Sequence, residues 1–433
     1  SIGVVFIGTI MGYASPAGAI LTSNSTDSGL YLTNMQNSWF TSVSNVGAMI
    51  GCPFAGFSIN ILGRRGTIIY AVIPALIGWI FIVFAQNFEM LVIGRLITGT
   101  YCSLISLAVP TYIAEFSSPH IRGILGTFFQ IMIVIGILFV YVLGVLLNSF
   151  RWIAAICAIV PCICSLLMIP NKESPLYLLS KGREEEAEKA MQYFRGKDFA
   201  GIESELQAMK ESLEESKNKV GFGHITRSYI FKPFFISLGL MFFQQFSGIT
   251  AVTFNFNLIF KDIGSSLSEG FSSIIVSIIQ LISAIAGAFF IDKVGRKILL
   301  ILSALFMSTP LEYSPEIASK ITWVPLVSYI VFLIAFSYGY GPIPWLMMGE
   351  LFSPEVKEIA GSISSFSNWT FAFIVTFIFS PLQSEVNTYG VFWIFAAICV
   401  LNLIFVISCI YETKGKTLQE INAHFGGPNI NIK

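Results

Sequence analysis

The chain has 433 residues, of which 55% are hydrophobic and only 12% are charged, whereas soluble proteins usually carry about 25% charged residues. This composition excludes an ordinary soluble protein and indicates an all-α membrane protein with several spanning helices. The formal net charge is zero and no basic soluble segment alternates with aromatic residues, so we expect no nucleic-acid partner.

Long apolar segments follow one another along the chain and predict transmembrane helices, each of which needs about 20 apolar residues. The first lacks a basic leader and a cleavage site, so we expect a spanning helix whose cytoplasmic leader is trimmed. The ninth is short, because the sequence becomes polar after Met307. The predicted spans are twelve, at about residues 1–21, 38–61, 67–86, 90–114, 123–147, 151–170, 230–260, 270–291, 297–312, 322–348, 359–381 and 387–411.

One long polar segment separates the sixth predicted span from the seventh. Its charge-rich, amphipathic pattern is typical of helices in water. We therefore predict an N-terminal six-helix bundle, a cytoplasmic helical linker, a C-terminal six-helix bundle and a cytoplasmic tail. Their predicted ranges are 1–170, 171–229, 230–411 and 412–433.

The positions of lysine and arginine predict the orientation, because cytoplasmic loops collect these residues. With the N-terminus inside, the basic residues at outward positions are only Arg95, Arg151, Lys261 and Lys320. We therefore expect both termini and the linker in the cytoplasm and the protein in the plasma membrane. Asn24 begins an Asn-Ser-Thr sequon in the first outward loop and is the predicted glycosylation site.

Short motifs recur in the two halves at similar offsets. Gly63-Arg64-Arg65 is matched by Gly295-Arg296-Lys297, and Glu115, seven residues before a base, is matched by Glu350. Two six-helix repeats are typical of a transporter whose binding site lies between its halves.

The repeated charges lie at the predicted inner ends of neighbouring spans. Positive-inside anchoring and helix capping account for single arginines, but not for an acid that precedes a base by seven residues in both halves. We predict that salt bridges among these residues hold the inner face shut in the outward-open state. The predicted gate residues are Arg64, Arg65, Glu115, Arg122 and Glu173, then Arg296, Lys297, Glu350, Lys357 and Glu412.

Two adjacent amides, Gln244 and Gln245, lie inside an otherwise apolar span. An unsatisfied amide at bilayer depth is costly, so this pair must face protein, water or a polyhydroxyl ligand. The three histidines, by contrast, lie at cytoplasmic edges without a nucleophile nearby, and the seven cysteines lie in apolar runs. We therefore predict no enzyme activity, no metal site and no cofactor.

An ordered set of motifs resembles the sugar porter family of the major facilitator superfamily over nearly the whole chain, and especially its glucose and insect trehalose transporters. The resemblance implies the major facilitator fold and a monomer that carries a small sugar across the bilayer by alternating access. The motifs are GRR at 63–65, RLITG at 95–99, PTYIAEFSSPHIRG at 110–123, ESPLYLL at 173–179, QQFSGI at 244–249, DKVGRK at 292–297, GPIPW at 341–345, GELF at 349–352, FSNWT at 366–370 and ETKGKTLQEI at 412–421.

The same resemblance implies which residues contact the sugar. Amides both donate and accept hydrogen bonds without a charge, and an indole can lie against the C–H face of a sugar. An interhelical hydrogen bond would equally account for any single glutamine, but less well for four. The substrate residues predicted by resemblance are Gln130, Gln244, Gln245, Gln280, Trp345, Asn368 and Trp369, and Thr250 is added as the position where we expect selectivity to differ from that of a glucose carrier.

The sequence departs from the pattern of hexose carriers at several of these positions. Thr250 stands where they usually have asparagine, Ser337 where they have an acid, and Ala372 where they have an amide. These changes favour a substrate other than glucose, such as a disaccharide. The GYASP segment at 12–16 also lacks the aspartate of proton-coupled relatives, and this predicts uniport. A proton-coupled symporter and a non-transporting sugar sensor remain the alternatives.

Overall fold

The computed structural model describes residues 2–23, 30–117, 119–196, 201–217, 228–263, 269–308, 324–352, 357–416 and 418–426. Regular structure in these ranges is helical throughout, as the apolar segments predict. Asn24 and the polar stretch after Met307 lie outside the described residues, and so do the side chains of Arg122 and Lys357.

Ten helices form the first part of the described chain. Seven are apolar and three belong to the polar linker. They are α1 (Ile2–Leu21), α2 (Asn34–Tyr70), α3 (Val72–Val83), α4 (Phe88–Phe116), α5 (Pro119–Leu146), α6 (Phe150–Cys157), α7 (Ile159–Met168), α8 (Pro175–Ser180), α9 (Glu184–Arg195) and α10 (Ile202–Lys217).

Eight helices follow the linker. Seven of them are apolar, and the last is a short amphipathic helix in the tail. They are α11 (Ser228–Phe246), α12 (Ile249–Ile263), α13 (Glu269–Val294), α14 (Arg296–Met307), α15 (Val324–Tyr338), α16 (Ile343–Leu351), α17 (Lys357–Cys409) and α18 (Leu418–His424).

The helix boundaries differ from the predicted spans because consecutive spans sometimes join without a loop. In the described part of the chain, nine helices are long and apolar enough to cross a membrane. The second predicted span runs into the third within α2, through a non-helical Gly63 (φ 82°, ψ 177°). Likewise, Asn387 (φ 59°, ψ 169°) separates the eleventh and twelfth spans inside α17. Backbone angles of this kind are populated almost only by glycine, so Asn387 is strained at the junction of the two spans.

Two hydrophobic clusters divide the helices. The first packs residues of α1 to α7, including Trp79 and Tyr101, and the second packs residues of α11 to α18, including Phe256 and Phe379. Trp369 is an exception, since it belongs to α17 and packs in the first cluster. The domain boundaries drawn from the sequence stay a prediction.

Glycines allow α1 and α5 to approach closely in the first cluster. A Cβ atom at Gly8 would lie 2.0 Å from the carbonyl oxygen of Ile133, and one at Gly136 would lie 2.0 Å from that of Val5. Small residues permit such backbone contact between membrane helices. The contact fixes one wall of the space between the clusters.

Arg95 lies deeper than its assignment to an outward helix end suggested. Its side chain is fully buried, and it donates to the carbonyls of Ile10 (2.7 Å) and Phe40 (3.2 Å) and to Ser44 Oγ (3.1 Å). The guanidinium also lies over the rings of Tyr13 and Phe40. Arg95 therefore holds α1, α2 and α4 together, and its position is not evidence for the membrane orientation.

Candidate functional site

A cavity lies between the two hydrophobic clusters. Its volume is about 80 Å³, whereas a single water needs roughly 10–15 Å³ on the same measure. The cavity therefore has room for several waters or for a small polyhydroxyl compound. The structure brings all the predicted substrate residues to its wall, namely Gln130, Gln244, Gln245, Thr250, Gln280, Trp345, Asn368 and Trp369.

The seventh predicted span is broken at the cavity. α11 ends at Phe246 and α12 begins at Ile249, with Gly248 between them at φ +92°. A Cβ atom on Gly248 would also lie 2.3 Å from the ring of Phe395, so both the backbone angle and the packing require glycine. The break sets the amides at the end of α11 and Thr250 at the start of α12 against the same cavity.

Four polar side chains form a continuous hydrogen-bonded chain along this wall. Thr250 Oγ1 donates to Gln245 Oε1 at 2.5 Å, and Gln245 Nε2 donates to Asn368 Oδ1 at 3.1 Å. Asn368 Nδ2 donates to Gln244 Oε1 at 2.8 Å. Gln244 Nε2 in turn donates to the backbone carbonyl of Tyr340 at 2.6 Å. The chain therefore links α11, α12 and α17 to the residues just before α16.

Other groups on the wall remain available. Trp369 Nε1 is buried without a hydrogen-bond partner in the described part of the chain. Gln130 and Gln280 line the cavity, and among the described residues no hydrogen bond engages either amide. The buried donor of Trp369 is costly to leave without a partner, and the amides of Gln130 and Gln280 are not engaged by described protein groups, so these three side chains are the groups of the wall best suited to a ligand rich in hydroxyls.

Several residues that line the cavity were not among the predicted substrate residues. Met11 and Ile7 cover the wall from α1, and Ser106 does so from α4. Thr253 also lines the cavity and could have been found, because it lies three residues after Thr250 on the same helix face. The apolar residues carried no comparable signal, since they look like any other residue of a spanning helix.

Contacts between the halves lie on the side of the cavity where the predicted outward loops are. Tyr141 Oη donates to the carbonyl of Thr253 at 2.8 Å, and the N–H of Asn257 donates to Ser15 Oγ at 3.0 Å. On a second pair of helices, Asn45 Nδ2 donates to Thr376 Oγ1 at 3.1 Å. These bonds join the two halves on the predicted outer side of the cavity.

The inner ends of the helices carry two copies of one charged arrangement. Arg64 and Glu115 form an ion pair with Nη2 and Oε1 2.7 Å apart, and Arg296 and Glu350 form one at 3.0 Å. The second oxygen of each acid accepts a hydroxyl hydrogen bond, from Ser174 to Glu115 and from Thr413 to Glu350. Both ion pairs connect helices of the same half in this structure.

The two remaining acids of this set bind backbone amides rather than basic side chains. Glu173 accepts from the N–H groups of Arg64 and Arg65, where α2 resumes after Gly63. Glu412 does the same for Arg296 and Lys297 at the start of α14. A carboxylate at a helix N-terminus satisfies free donors and complements the helix dipole.

The basic side chains next to these amides also bond to the backbone. Arg65 Nη2 donates to the carbonyl of Ile169 at 2.5 Å, and Lys297 Nζ donates to that of Ile407 at 3.0 Å. They therefore hold the start of each helix against the end of a neighbouring span. The predicted role of all these charges in a gate stays a prediction.

Comparison with known proteins assigns the family. A family model described as "Sugar (and other) transporter" matches residues 7–425. The chain belongs to this sugar transporter family. It is 39% identical to the facilitated trehalose transporter Tret1 of Apis mellifera ligustica, over 99% of this chain and 87% of the relative. It is 36% identical to the Tret1 of Polypedilum vanderplanki, over 99% of this chain and 86% of that relative.

Solved structures agree with this assignment. The chain is similar to the proton:xylose symporter XylE of the major facilitator superfamily, bound to 6-bromo-6-deoxy-D-glucose, with a TM-score of 0.83 and 26% identity over 98% of this chain and 97% of that one. An inward-open XylE matches with a TM-score of 0.80 and 25% identity, over 98% of this chain and 97% of that one. The expected major facilitator fold is confirmed, and the protein is a multi-pass membrane transporter rather than an enzyme.

Proposed function

We propose that this protein is a facilitative sugar transporter that works by alternating access, with trehalose or a hexose such as glucose as its substrate. The observation that carries this proposal is the cavity of uncharged amides and indoles between the two halves. Relatives named as facilitated trehalose transporters support trehalose as the first sugar to test.

The residues of the cavity take separate parts in this proposal. Gln130, Gln280 and the indole N–H of Trp369 bind sugar hydroxyls directly, because they can bond a ligand without losing a protein partner. Trp345, which is partly exposed at the wall, lies against the ring of the sugar. The hydrogen-bonded side chains from Thr250 to Gln244 can also bind the sugar, but each must then give up a hydrogen bond that it already makes to the protein.

Uptake of labelled sugars tests the proposal. Reconstituted protein is expected to carry trehalose into liposomes until the two sides are equal, with glucose and fructose as competitors. A panel in which no sugar enters faster than in protein-free liposomes would overturn the proposed function.

Thr250→Asn should then shift the preference among these sugars, and an unchanged profile would remove Thr250 from the selectivity determinants.

A proton-coupled symporter is the second candidate, because XylE is named as such. A symporter needs a titratable group in its pathway, and no acidic residue occurs among the described residues that line the cavity. An imposed pH gradient distinguishes the two: a uniporter equilibrates its sugar, whereas accumulation above equilibrium would establish coupling.

We further propose the plasma membrane as the location, with both termini in the cytoplasm and the monomer as the functional unit. The distribution of lysine and arginine supports this orientation. Epitope tags at the two ends, stained with and without permeabilisation of the cells, test it. Staining of intact cells would contradict it.

A further inference from the structure

The tenth predicted span is interrupted between α15 and α16, and the interruption leaves one carbonyl without its usual partner. In a continuous helix the N–H of residue 344 would donate to the carbonyl of Tyr340. Residue 344 is a proline and has no N–H. Gln244 supplies the missing donor, with Nε2 at 2.6 Å from the oxygen of Tyr340 and 3.2 Å from that of Gly341. Gln244 and Tyr340 are both buried, where an unpaired carbonyl is costly.

This bond fixes the direction of the whole polar chain. Backbone carbonyls only accept, so Gln244 turns its Nε2 toward them and its Oε1 toward Asn368. Asn368 must then present Oδ1 to Gln245, and Gln245 must present Oε1 to the hydroxyl of Thr250. A ligand that turns any one of these amides therefore disturbs the bond to Tyr340.

Tyr340 is also bonded on its other side. Its hydroxyl hydrogen-bonds to Asn402 in α17, and its side chain is fully buried. The residue is thus held between α11 and α17 at the point where α16 begins. α16 carries Trp345 on the cavity wall and Glu350 in the inner ion pair with Arg296.

We propose that Gln244 is a positioning residue for the break in the tenth span: a polyhydroxyl ligand that takes its amide releases the carbonyl of Tyr340 and frees α16 to move relative to α15. Occupancy of the cavity is thereby linked to the charged residues at the inner end. The identity of the ligand rests on the proposed function, whereas the bond between Gln244 and the break does not.

Backbone hydrogen exchange without any sugar tests the bond itself. Gln244→Met keeps the length of the side chain and removes its amide, so the backbone N–H groups of residues 339–341, 343, 345 and 346 should exchange about three- to tenfold faster, as expected for one lost hydrogen bond. Adding Pro344→Ala restores an N–H for the Tyr340 carbonyl and should return the rate to within about twofold of the wild type.

Pro342→Ala is the matched control for this rescue. Its new N–H is in register with the carbonyl of residue 338, not with that of Tyr340, so Gln244→Met with Pro342→Ala should still exchange fast. Unchanged exchange in Gln244→Met would overturn the proposal. Failure of Pro344→Ala to rescue, or equal rescue by Pro342→Ala, would also overturn it.

The affinity for the sugar tests whether the ligand and the Tyr340 carbonyl compete for the amide of Gln244. Pro344→Ala alone should lower the Kd of the transported sugar by about two- to tenfold, because the ligand no longer competes with the Tyr340 carbonyl for Gln244. An unchanged or higher Kd would contradict the competition. If no sugar binds the wild type, the proposed function fails, while the exchange rates still decide the role of Gln244 independently.

Discussion

Gln280 and Gln245 line the same cavity, but they differ in what they are bonded to. Gln245 accepts from Thr250 and donates to Asn368, whereas no hydrogen bond to the protein engages Gln280 in the described part of the chain. The same substitution should therefore have different effects at the two positions. Replacing Gln280 should weaken ligand binding alone. Replacing Gln245 should weaken ligand binding and also lower the stability of the protein.

Gln280→Leu should raise the KM for the sugar by about two- to tenfold, the value of one hydrogen bond, and should leave the Tm of the purified protein unchanged. Gln245→Leu should raise KM and also lower Tm, because Asn368 and Thr250 lose their partners. Uptake kinetics and thermal unfolding in detergent measure the two effects. Equal losses of Tm in both variants would contradict this distinction.

At the residue scale the sequence predicted the members of the cavity but not the bonds among them. Seven of the eight predicted substrate residues came from a motif resemblance and Thr250 from a departure from that motif, and residue identity alone does not say which amide is already engaged. Arg95 shows the same limit. Its three acceptors lie on α1 and α2, far from it in sequence, and an apolar span with one arginine looks the same whether that arginine is buried or at the surface.

Among the helices, the inner ion pairs offer a test of the gate. Glu350→Gln removes the charge that faces Arg296 and Thr413. If this pair favours the closed inner face, as proposed, the variant should transport several-fold more slowly at equal surface expression. Sugar uptake, normalised to the amount of protein at the surface, measures the effect.

Glu186→Gln is the matched control. It breaks an ion pair of similar length, 2.6 Å, between Glu186 and Arg183 in the linker. Both side chains are more than half exposed, and exposed pairs contribute little. Transport by this variant should equal that of the wild type. A loss as large as that of Glu350→Gln would show that charge removal alone, not the inner pair, slows transport.

The elements themselves were predicted well in type and less well in extent. Hydropathy predicts an apolar helix, but it does not show that two spans continue into one another through Gly63 or Asn387 without a loop. Glu173 and Glu412 were predicted to take part in salt bridges, and the sequence did not indicate that they accept from backbone N–H groups. Each acid binds N–H groups more than a hundred residues away, and a sequence motif contains no sign of a free helix terminus at that distance.

For the whole molecule, the hydrogen bonds between the halves on the predicted outer side give a third test. Tyr141→Phe removes the hydrogen bond from the first half to the carbonyl of Thr253 in the second. Opening on the outer side should become more frequent, by about two- to tenfold for one bond. A cysteine introduced at Ile137 on the cavity wall should then react faster with a membrane-impermeant maleimide added from outside.

Tyr101→Phe controls for the loss of a buried tyrosine hydroxyl. Tyr101 donates to the carbonyl of Gly3 at 3.2 Å, and both residues belong to the first half. The maleimide should react with the cysteine at 137 no faster in this background than in the wild type. Faster labelling in both backgrounds would indicate general loosening of the protein and would contradict a specific role for Tyr141.

The uncharged wall of the cavity has a consequence for how the membrane voltage acts on this protein. Moving one elementary charge through the field costs about 2.3 kcal/mol per 100 mV, and among the described residues the lining carries no charge at all. Neither the empty nor the sugar-loaded cavity then carries charge across the membrane. The turnover rate should stay the same from strongly negative to positive potentials, and a voltage clamp should record no sugar-induced current.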